Sequence, residues 1–213
     1  MGKIQYIFFD AANTLIHKPL LWRKISNILK KHGNEIPEKL LKHNHKLISE
    51  NFHFPDRTSS DFYRNFNSEL LYSVGIIPTS DLLEEIFLSC SYLPWEKFDD
   101  TSVLYSLSLP IGVISNFNKT LDQTLKNLFD LNFQNIIISE NYGVGKPNPE
   151  FYDFALREIG IDSSKVLYVG DSLKLDIEPA LELGMNAILI DRNDDYPFYK
   201  NRILNMNQLI QYL

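Results

Sequence analysis

The sequence lacks features that are typical of several classes of protein. It contains one cysteine, Cys90, among 213 residues, so a single chain can form neither an internal disulfide nor a cysteine-based metal cluster. No apolar run approaches the ~18 residues of a membrane-spanning helix, and the first residues lack a signal-peptide pattern. We therefore expect a cytoplasmic protein with no membrane association.

A basic surface is missing as well. The chain has 21 lysine and arginine residues against 27 aspartate and glutamate residues, for a formal net charge of −6. Nucleic-acid-binding domains usually present a basic face, so we expect a small-molecule substrate and no nucleic-acid partner. The content of 44% hydrophobic residues is ordinary for a globular protein. The sequence does not indicate the oligomeric state.

Residues 6–15 are the segment around which the rest of the chain is organised. Four apolar residues, Tyr6 to Phe9, run directly into Asp10. Such a run predicts a strand buried on both faces, as in a parallel sheet. Asp10 then follows the carboxyl end of that strand, where open α/β sheets bind ligands. An aspartate that only serves a turn is the alternative.

Residues 17–94 contain no strand-like run. Apolar residues recur there at helical spacing in four stretches, which begin near Leu20, Pro37, Asp61 and Ser80. Four such helices with short connections predict a small bundle. The histidines of this region (His43, His45 and His53) do not share a helical face, so we expect solvated side chains and no metal site. Its aromatic residues, among them Trp22 and Phe54, line a pocket or form the core of the bundle.

Strand-like and helix-like segments alternate from about residue 95 onward. Apolar runs at 111–114, 136–138, 166–169 and 187–190 predict strands of a parallel sheet with right-handed crossovers. About 100 residues separate the first two core strands, which is far more than an ordinary crossover. We predict a three-layer, Rossmann-like α/β core formed by residues 1–16 and 95–213, with residues 17–94 inserted as a helical-bundle cap.

Polar residues follow the carboxyl ends of the predicted strands. They are Asp10, Ser115, Asn116, Lys146, Asp171 and Asp176. Because the carboxyl ends of parallel strands meet at one edge, we expect these side chains to converge. Carboxylates bind Mg²⁺, and a lysine and a hydroxyl can offset phosphoryl charge. The set favours phosphoryl chemistry, although each residue alone has a common structural role.

Four segments occur in an order that resembles the motifs of the haloacid dehalogenase superfamily. They are Phe8-Phe9-Asp10-Ala11-Ala12-Asn13-Thr14-Leu15, Val113-Ile114-Ser115-Asn116, Gly145-Lys146-Pro147-Asn148-Pro149 and Val169-Gly170-Asp171-Ser172 with Asp176. The helical insert resembles the C1-type cap of that superfamily. Within it, the second and third segments resemble the group containing haloacid dehalogenase-like hydrolase domain-containing protein 3.

The resemblance implies a hydrolase with a covalent intermediate on Asp10. Thr14 corresponds to the residue that supports the loop after the nucleophile, and Ser115 to the hydroxyl that binds the phosphoryl group. Asn116 lies beside it as a further substrate-binding candidate. Lys146 corresponds to the lysine that orients and neutralises the nucleophile.

The resemblance also implies a Mg²⁺ cofactor. Asp10, Asp171 and the backbone carbonyl of Ala12 would bind it, with Asp176 in support. Phosphatases of the superfamily usually have an aspartate where this chain has Ala12, and that aspartate protonates the leaving oxygen. General acid–base catalysis typically contributes about 10²–10⁴-fold in rate. We therefore expect a weak activity, a substrate with a good leaving group, or a substitute acid from the cap, from a water molecule or from His17.

The missing acid leaves four functions open. We expect a Mg²⁺-dependent phosphatase for a small phosphorylated metabolite. An L-2-haloacid dehalogenase needs neither the acid nor the metal and is the main alternative. A phosphonoacetaldehyde hydrolase-like enzyme would need a cap lysine, for which Lys24, Lys39 and Lys46 are candidates. The fourth is a catalytically weak phosphometabolite-binding protein.

Overall fold

The computed structural model describes residues 3–52 and 59–213. His53 and Phe54 therefore lie outside the described residues. The chain divides into two compact units, one formed by Met1–His17 with Glu96–Leu213 and the other by Lys18–Trp95. None of the described helices is both long and apolar enough to cross a lipid bilayer.

Along the chain, a segment of four helices separates the first two strands from the rest of the α/β pattern. The strands are β1 (Tyr6–Phe9), β2 (Ile16–His17), β3 (Glu96–Lys97), β4 (Ile111–Ser115), β5 (Asn135–Ile138), β6 (Val166–Gly170), β7 (Asn186–Ile190) and β8 (Arg202–Ile203). The helices are α1 (Leu20–Lys31), α2 (Glu38–Ser49), α3 (Ser60–Ser73), α4 (Ser80–Cys90), α5 (Thr120–Leu128), α6 (Ser139–Tyr142), α7 (Pro149–Ile159) and α8 (Glu178–Glu182). Short 3₁₀ segments cover Asp99–Ser106, Ser163–Lys165 and Met206–Tyr212, and a π-helical turn covers Leu173–Ile177.

The first unit is built on a parallel sheet whose centre is β1. Within the described residues its strand order is β5-β4-β1-β6-β7-β8. All four side chains of β1 are buried, as expected for a strand with neighbours on both edges and helices on both faces. Phe9 lies in register with Val113 of β4 and Val169 of β6, so the carboxyl ends of these strands meet at one edge. The predicted α/β fold is confirmed.

The chain leaves and re-enters this unit through a small two-stranded ladder. β2 and β3 pair antiparallel, with Ile16 opposite Lys97 and His17 opposite Glu96. The two strands are only two residues long and about 80 residues apart in sequence. Their side chains show no strand pattern, so the sequence did not indicate this pairing.

The second unit contains α1 to α4. Buried apolar residues from all four helices form its core, among them Ile25, Leu41, Leu71 and Ile86. This arrangement follows from the helical spacing of the apolar residues. The side chain of Thr79 accepts a hydrogen bond from the Leu82 N–H, so Thr79 caps α4.

His45 corrects the expectation that the histidines of this region are solvated. Its ring makes edge contacts with Trp22 and Phe66, at centroid distances of 5.0 and 4.9 Å. Burial lowers the pKa of His45 from 6.5 to about 4, because an apolar environment disfavours the charged ring. His45 therefore belongs to the aromatic core of the bundle.

Candidate active site

Asp10 directly follows the carboxyl end of β1 and is bonded there to β6. Its backbone N–H donates to the Val169 carbonyl of β6 at 2.9 Å, and only 5% of the residue is exposed. The chain then turns tightly, since the Ala11 carbonyl accepts from both the Leu15 and the Ile16 N–H, at 2.8 and 3.0 Å. Asn13 adopts a left-handed backbone with φ of 63°, which asparagine tolerates better than most residues.

Lys146 lies between two buried carboxylates. Its Nζ is 2.5 Å from Asp10 Oδ1 and 2.7 Å from Asp176 Oδ1. The exposed fractions of the three side chains are 4%, 7% and 1%. The sheet brings together residues 136 positions apart in sequence, and the result is a desolvated cluster with one positive and two negative groups.

The charges in this cluster depend on one another. Burial raises the pKa of Asp10 from 3.8 to about 6, although the Lys146 ammonium opposes that effect. For Lys146, burial by itself lowers the pKa, but the charges of Asp10 and Asp176 outweigh burial and raise it above its ordinary value. At neutral pH, Lys146 is therefore protonated and Asp10 is predominantly a carboxylate.

Ser115 and Asn116 lie at the end of β4, and each contacts a different member of the cluster. The Ser115 hydroxyl is 3.4 Å from Asp10 Oδ1 and buried with it. The Asn116 amide donates to the Lys146 carbonyl at 2.9 Å and accepts from the Lys146 N–H at 2.7 Å. A Cβ on Gly145 would overlap the Asn116 amide. Asn116 thus fixes the main chain that carries Lys146, a contact that the sequence did not reveal.

Three carboxylates converge closely enough to hold a cation. One oxygen each of Asp10, Asp171 and Asp176 lies within 4.8 Å of the others. Asp176 is already held, because its Oδ1 contacts Lys146 and its Oδ2 accepts from the Ser172 N–H at 3.0 Å. Among the described residues, no group donates a hydrogen bond to the Ala12 carbonyl. The carboxylates of Asp10 and Asp171 offer the oxygen ligands that a hard divalent ion such as Mg²⁺ prefers, and the Ala12 carbonyl as a further ligand stays a prediction.

Asp176 lies on an irregular helical segment that follows β6. The chain forms a π-helical turn over Leu173–Ile177 before α8 begins. This wider turn carries Asp176 back to the Ser172 N–H and to Lys146. Gly170 is required here, since a Cβ at this position would overlap the Asp176 carboxylate. π-Helical turns occur often at functional sites.

Tyr168 is a member of the cluster that the sequence did not identify. Its buried hydroxyl lies 3.1 Å from Asp176 Oδ1, 3.3 Å from the Ile114 carbonyl and 3.5 Å from Lys146 Nζ. Within the apolar run 166–169, a tyrosine looks like an ordinary core residue. The only available signal was its place two residues before Gly170, on a strand that ends at the site.

Two candidate residues near β1 remain, Thr14 and His17, and their surroundings are of another kind. Thr14 is fully buried, and among the described residues its hydroxyl has no hydrogen-bond partner. The His17 ring is stacked on Phe98, with a centroid distance of 3.9 Å and an interplanar angle of 11°. The substitute-acid role of His17 stays a prediction.

Comparisons with known proteins agree with this geometry. The chain is 38% identical over 91 residues to a glyceraldehyde 3-phosphate phosphatase of Methanocaldococcus jannaschii, covering 41% of this chain and 39% of that protein. It is 36% identical over 110 residues to haloacid dehalogenase-like hydrolase domain-containing protein 3 of Danio rerio, covering 49% and 46%. The chain thus spans less than half the length of these curated relatives.

A solved structure shares the fold over the whole chain. It is a putative hydrolase of the haloacid dehalogenase family from Bacillus subtilis, YfnB, bound to magnesium. The TM-score is 0.66 at 18% identity, with 100% of this chain and 99% of that chain covered. The family model described as haloacid dehalogenase-like hydrolase matches residues 4–184. This chain therefore belongs to the haloacid dehalogenase-like hydrolases.

Proposed function

We propose that this protein is a Mg²⁺-dependent phosphatase that hydrolyses small phosphate esters through an aspartyl-phosphate at Asp10. The observation that carries the proposal is the buried cluster in which Lys146 bridges Asp10 and Asp176 at 2.5 and 2.7 Å, with Asp171 beside it. Such a cluster combines a carboxylate nucleophile, a fixed positive charge and oxygen ligands for a cation.

The first half of the reaction forms a covalent bond to Asp10. One of its carboxylate oxygens attacks phosphorus, and the bond between phosphorus and the leaving oxygen breaks. Lys146 offsets the negative charge of the phosphoryl group, and the Ser115 hydroxyl is placed to donate to a phosphoryl oxygen. Mg²⁺ bound by Asp10, Asp171 and the Ala12 carbonyl would add positive charge against the phosphoryl oxygens.

The second half releases inorganic phosphate. A water molecule attacks phosphorus, the bond to Asp10 breaks, and the carboxylate is restored. Because the side chain of Ala12 can neither protonate the leaving oxygen nor activate this water, both steps depend on solvent or on another group. We therefore propose phosphate esters with good leaving groups as the best substrates. The relative named as a glyceraldehyde 3-phosphate phosphatase supports a small phosphorylated metabolite as the substrate class.

Dehalogenation is the second candidate, and Ala12 is the observation that favours it. Displacement of a halide by Asp10 needs no leaving-group acid, so Ala12 would carry no penalty. The convergence of Asp171 with Asp10 and Asp176 favours phosphate chemistry instead, because a dehalogenase has no need of a cation site. A weak phosphometabolite-binding protein would retain the same pocket.

A paired assay separates these functions. The purified protein is given an aryl phosphate with Mg²⁺ or with EDTA, and 2-chloropropionate with EDTA. We expect release of phosphate that requires Mg²⁺ and is lost in Asp10→Asn. Release of chloride without metal would establish the dehalogenase. Two further measurements address the remaining alternatives. Tight binding of a phosphate ester without turnover would identify a binding protein. Turnover of phosphonoacetaldehyde, given as a third substrate, would point to the lysine-dependent alternative.

A further inference from the structure

Arg192, which lies two residues beyond β7, contacts the segment that follows the nucleophile. Its Nη2 donates to the Thr14 carbonyl at 2.9 Å, and its Nη1 pairs with the Asp100 carboxylate. The side chain is 17% exposed, and Thr14 is fully buried. Arg192 thus supplies a charged donor to a buried carbonyl four residues after Asp10.

The same guanidinium also holds the strands through which the chain crosses between the two units. It lies over the Phe98 ring at 3.9 Å, and the His17 ring is stacked on Phe98 at the same distance. Since one ring face accommodates one planar group at this distance, Arg192 and His17 occupy opposite faces of Phe98. The Phe98 N–H donates to the Leu15 carbonyl at 3.1 Å.

Together these contacts tie two segments to one side chain. Residues 10–17 contain the nucleophile, its turn and β2, and residues 96–100 contain β3, Phe98 and Asp100. Asp100 is itself anchored, because its carboxylate accepts from the Met206 N–H at 2.7 Å. Loss of Arg192 would leave the buried Thr14 carbonyl without this donor, which is unfavourable, and would free the turn to move.

We propose that Arg192 is a positioning residue that locks the Asp10 turn to the crossing strands β2 and β3. It acts on Asp10 through the Thr14 carbonyl and the Phe98 stack, and it makes no contact with Asp10 in the structure. A misplacement of about 1 Å in a catalytic group can cost about 10²-fold in rate. The proposal rests on the proposed phosphatase function for its kinetic readout, but its structural readout does not.

The chain offers a matched control in Arg202. Its side chain is 18% exposed and pairs with the buried Asp191 at 2.8 Å and with Asp194 at 2.5 Å. Arg202 belongs to the same unit and has no hydrogen bond to residues 10–17 among the described contacts. Arg202→Met therefore removes a comparable ion pair and no hydrogen bond to the turn.

The kinetic experiment compares Arg192→Met, Arg192→Lys and Arg202→Met on an aryl phosphate with Mg²⁺. We expect kcat to fall at least tenfold in Arg192→Met with KM within threefold of the unaltered protein. Arg192→Lys keeps the charge beside Asp100 but has no planar fork to reach Thr14 as well, so it should fold normally and still lose at least threefold in kcat. Arg202→Met should retain kcat. Equal kcat values in all variants would overturn the proposal.

Hydrogen exchange tests the positioning role without any substrate. The N–H groups of Asn13, Leu15 and Ile16 are hydrogen-bonded within the turn, at 2.7, 2.8 and 3.0 Å. In both Arg192 variants we expect these amides to exchange at least tenfold faster than in Arg202→Met. Unchanged exchange overturns the proposal. If the unaltered protein releases no phosphate, the proposed function fails while this readout still decides the role of Arg192.

Discussion

Replacing Asp10, the proposed nucleophile, should make the protein more stable at neutral pH while it abolishes turnover. Asp10 is buried, and burial raises its pKa from 3.8 to about 6. The folded protein therefore holds the Asp10 carboxylate at a cost, which the neutral amide of the variant Asp10→Asn does not carry. The asparagine side chain has nearly the same shape, so packing around Lys146 is preserved.

The magnitude follows from the pKa of Asp10. At about 1.4 kcal/mol per pKa unit, a rise from 3.8 to about 6 corresponds to about 3 kcal/mol. Between these pH values the folded state binds more protons than the unfolded state, so the free energy of unfolding falls as pH rises through this window. Below about pH 4 the variant and the unaltered protein should be equally stable, and above about pH 7 Asp10→Asn should be more stable by about 3 kcal/mol.

Urea unfolding followed by circular dichroism, in EDTA at several pH values from about 4 to about 8, measures this difference. Asp191→Asn is the control, because Asp191 is equally buried but accepts from Arg202 and from the Asp195 and Tyr196 N–H groups, at 2.8, 2.9 and 2.8 Å. That variant should be less stable than the unaltered protein. Destabilisation of Asp10→Asn at about pH 7.5, or a stability advantage that does not grow with pH, would show that burial does not raise the pKa of Asp10.

Three further predictions concern other parts of the molecule. Asn116→Leu removes both hydrogen bonds to the Lys146 main chain. Urea unfolding should show a free energy of unfolding lower by about 2–4 kcal/mol, and phosphate release should show a reduced kcat. Ala12→Asp should raise kcat for alkyl phosphates by about 10²-fold or more and change aryl phosphates little; equal effects on both classes would contradict the role given to Ala12. Burial lowers the pKa of His45 from 6.5 to about 4. The free energy of unfolding should therefore fall by up to about 3 kcal/mol as pH drops through that range. Thermal unfolding of His45→Phe at the same pH values should not show this fall.

The parts of the site that the sequence predicted are those that depend on one strand and its end. A buried apolar run followed by a polar residue locates Asp10 and Ser115 independently of any distant contact. The parallel sheet then brings them together, because the carboxyl ends of its strands meet at one edge. Lys146 lies on a loop that was expected at the same edge of the sheet, and the resemblance to a family motif then supplied its role.

The parts that the sequence missed depend on contacts between distant segments. Tyr168 looks like an ordinary strand residue, and only the folding of the π-helical turn and of the Lys146 loop onto β6 brings its hydroxyl to Asp176 and Lys146, which lie 8 and 22 positions away in sequence. Arg192 resembles any surface arginine until β7 carries it to Thr14, 178 positions away in sequence. The spacing of the histidines excluded a shared helical face, but it could not reveal that His45 lies between Trp22 and Phe66.

The most direct test of the central claim is the mass of the acid-quenched protein during turnover of an aryl phosphate with Mg²⁺. Acid preserves an acyl phosphate long enough for peptide mapping. If turnover proceeds through an aspartyl-phosphate, a fraction of the chain gains the mass of one phosphoryl group, the group maps to Asp10, and Asp10→Asn never acquires it. Phosphate release with no adduct, or with an adduct on another residue, would contradict the account.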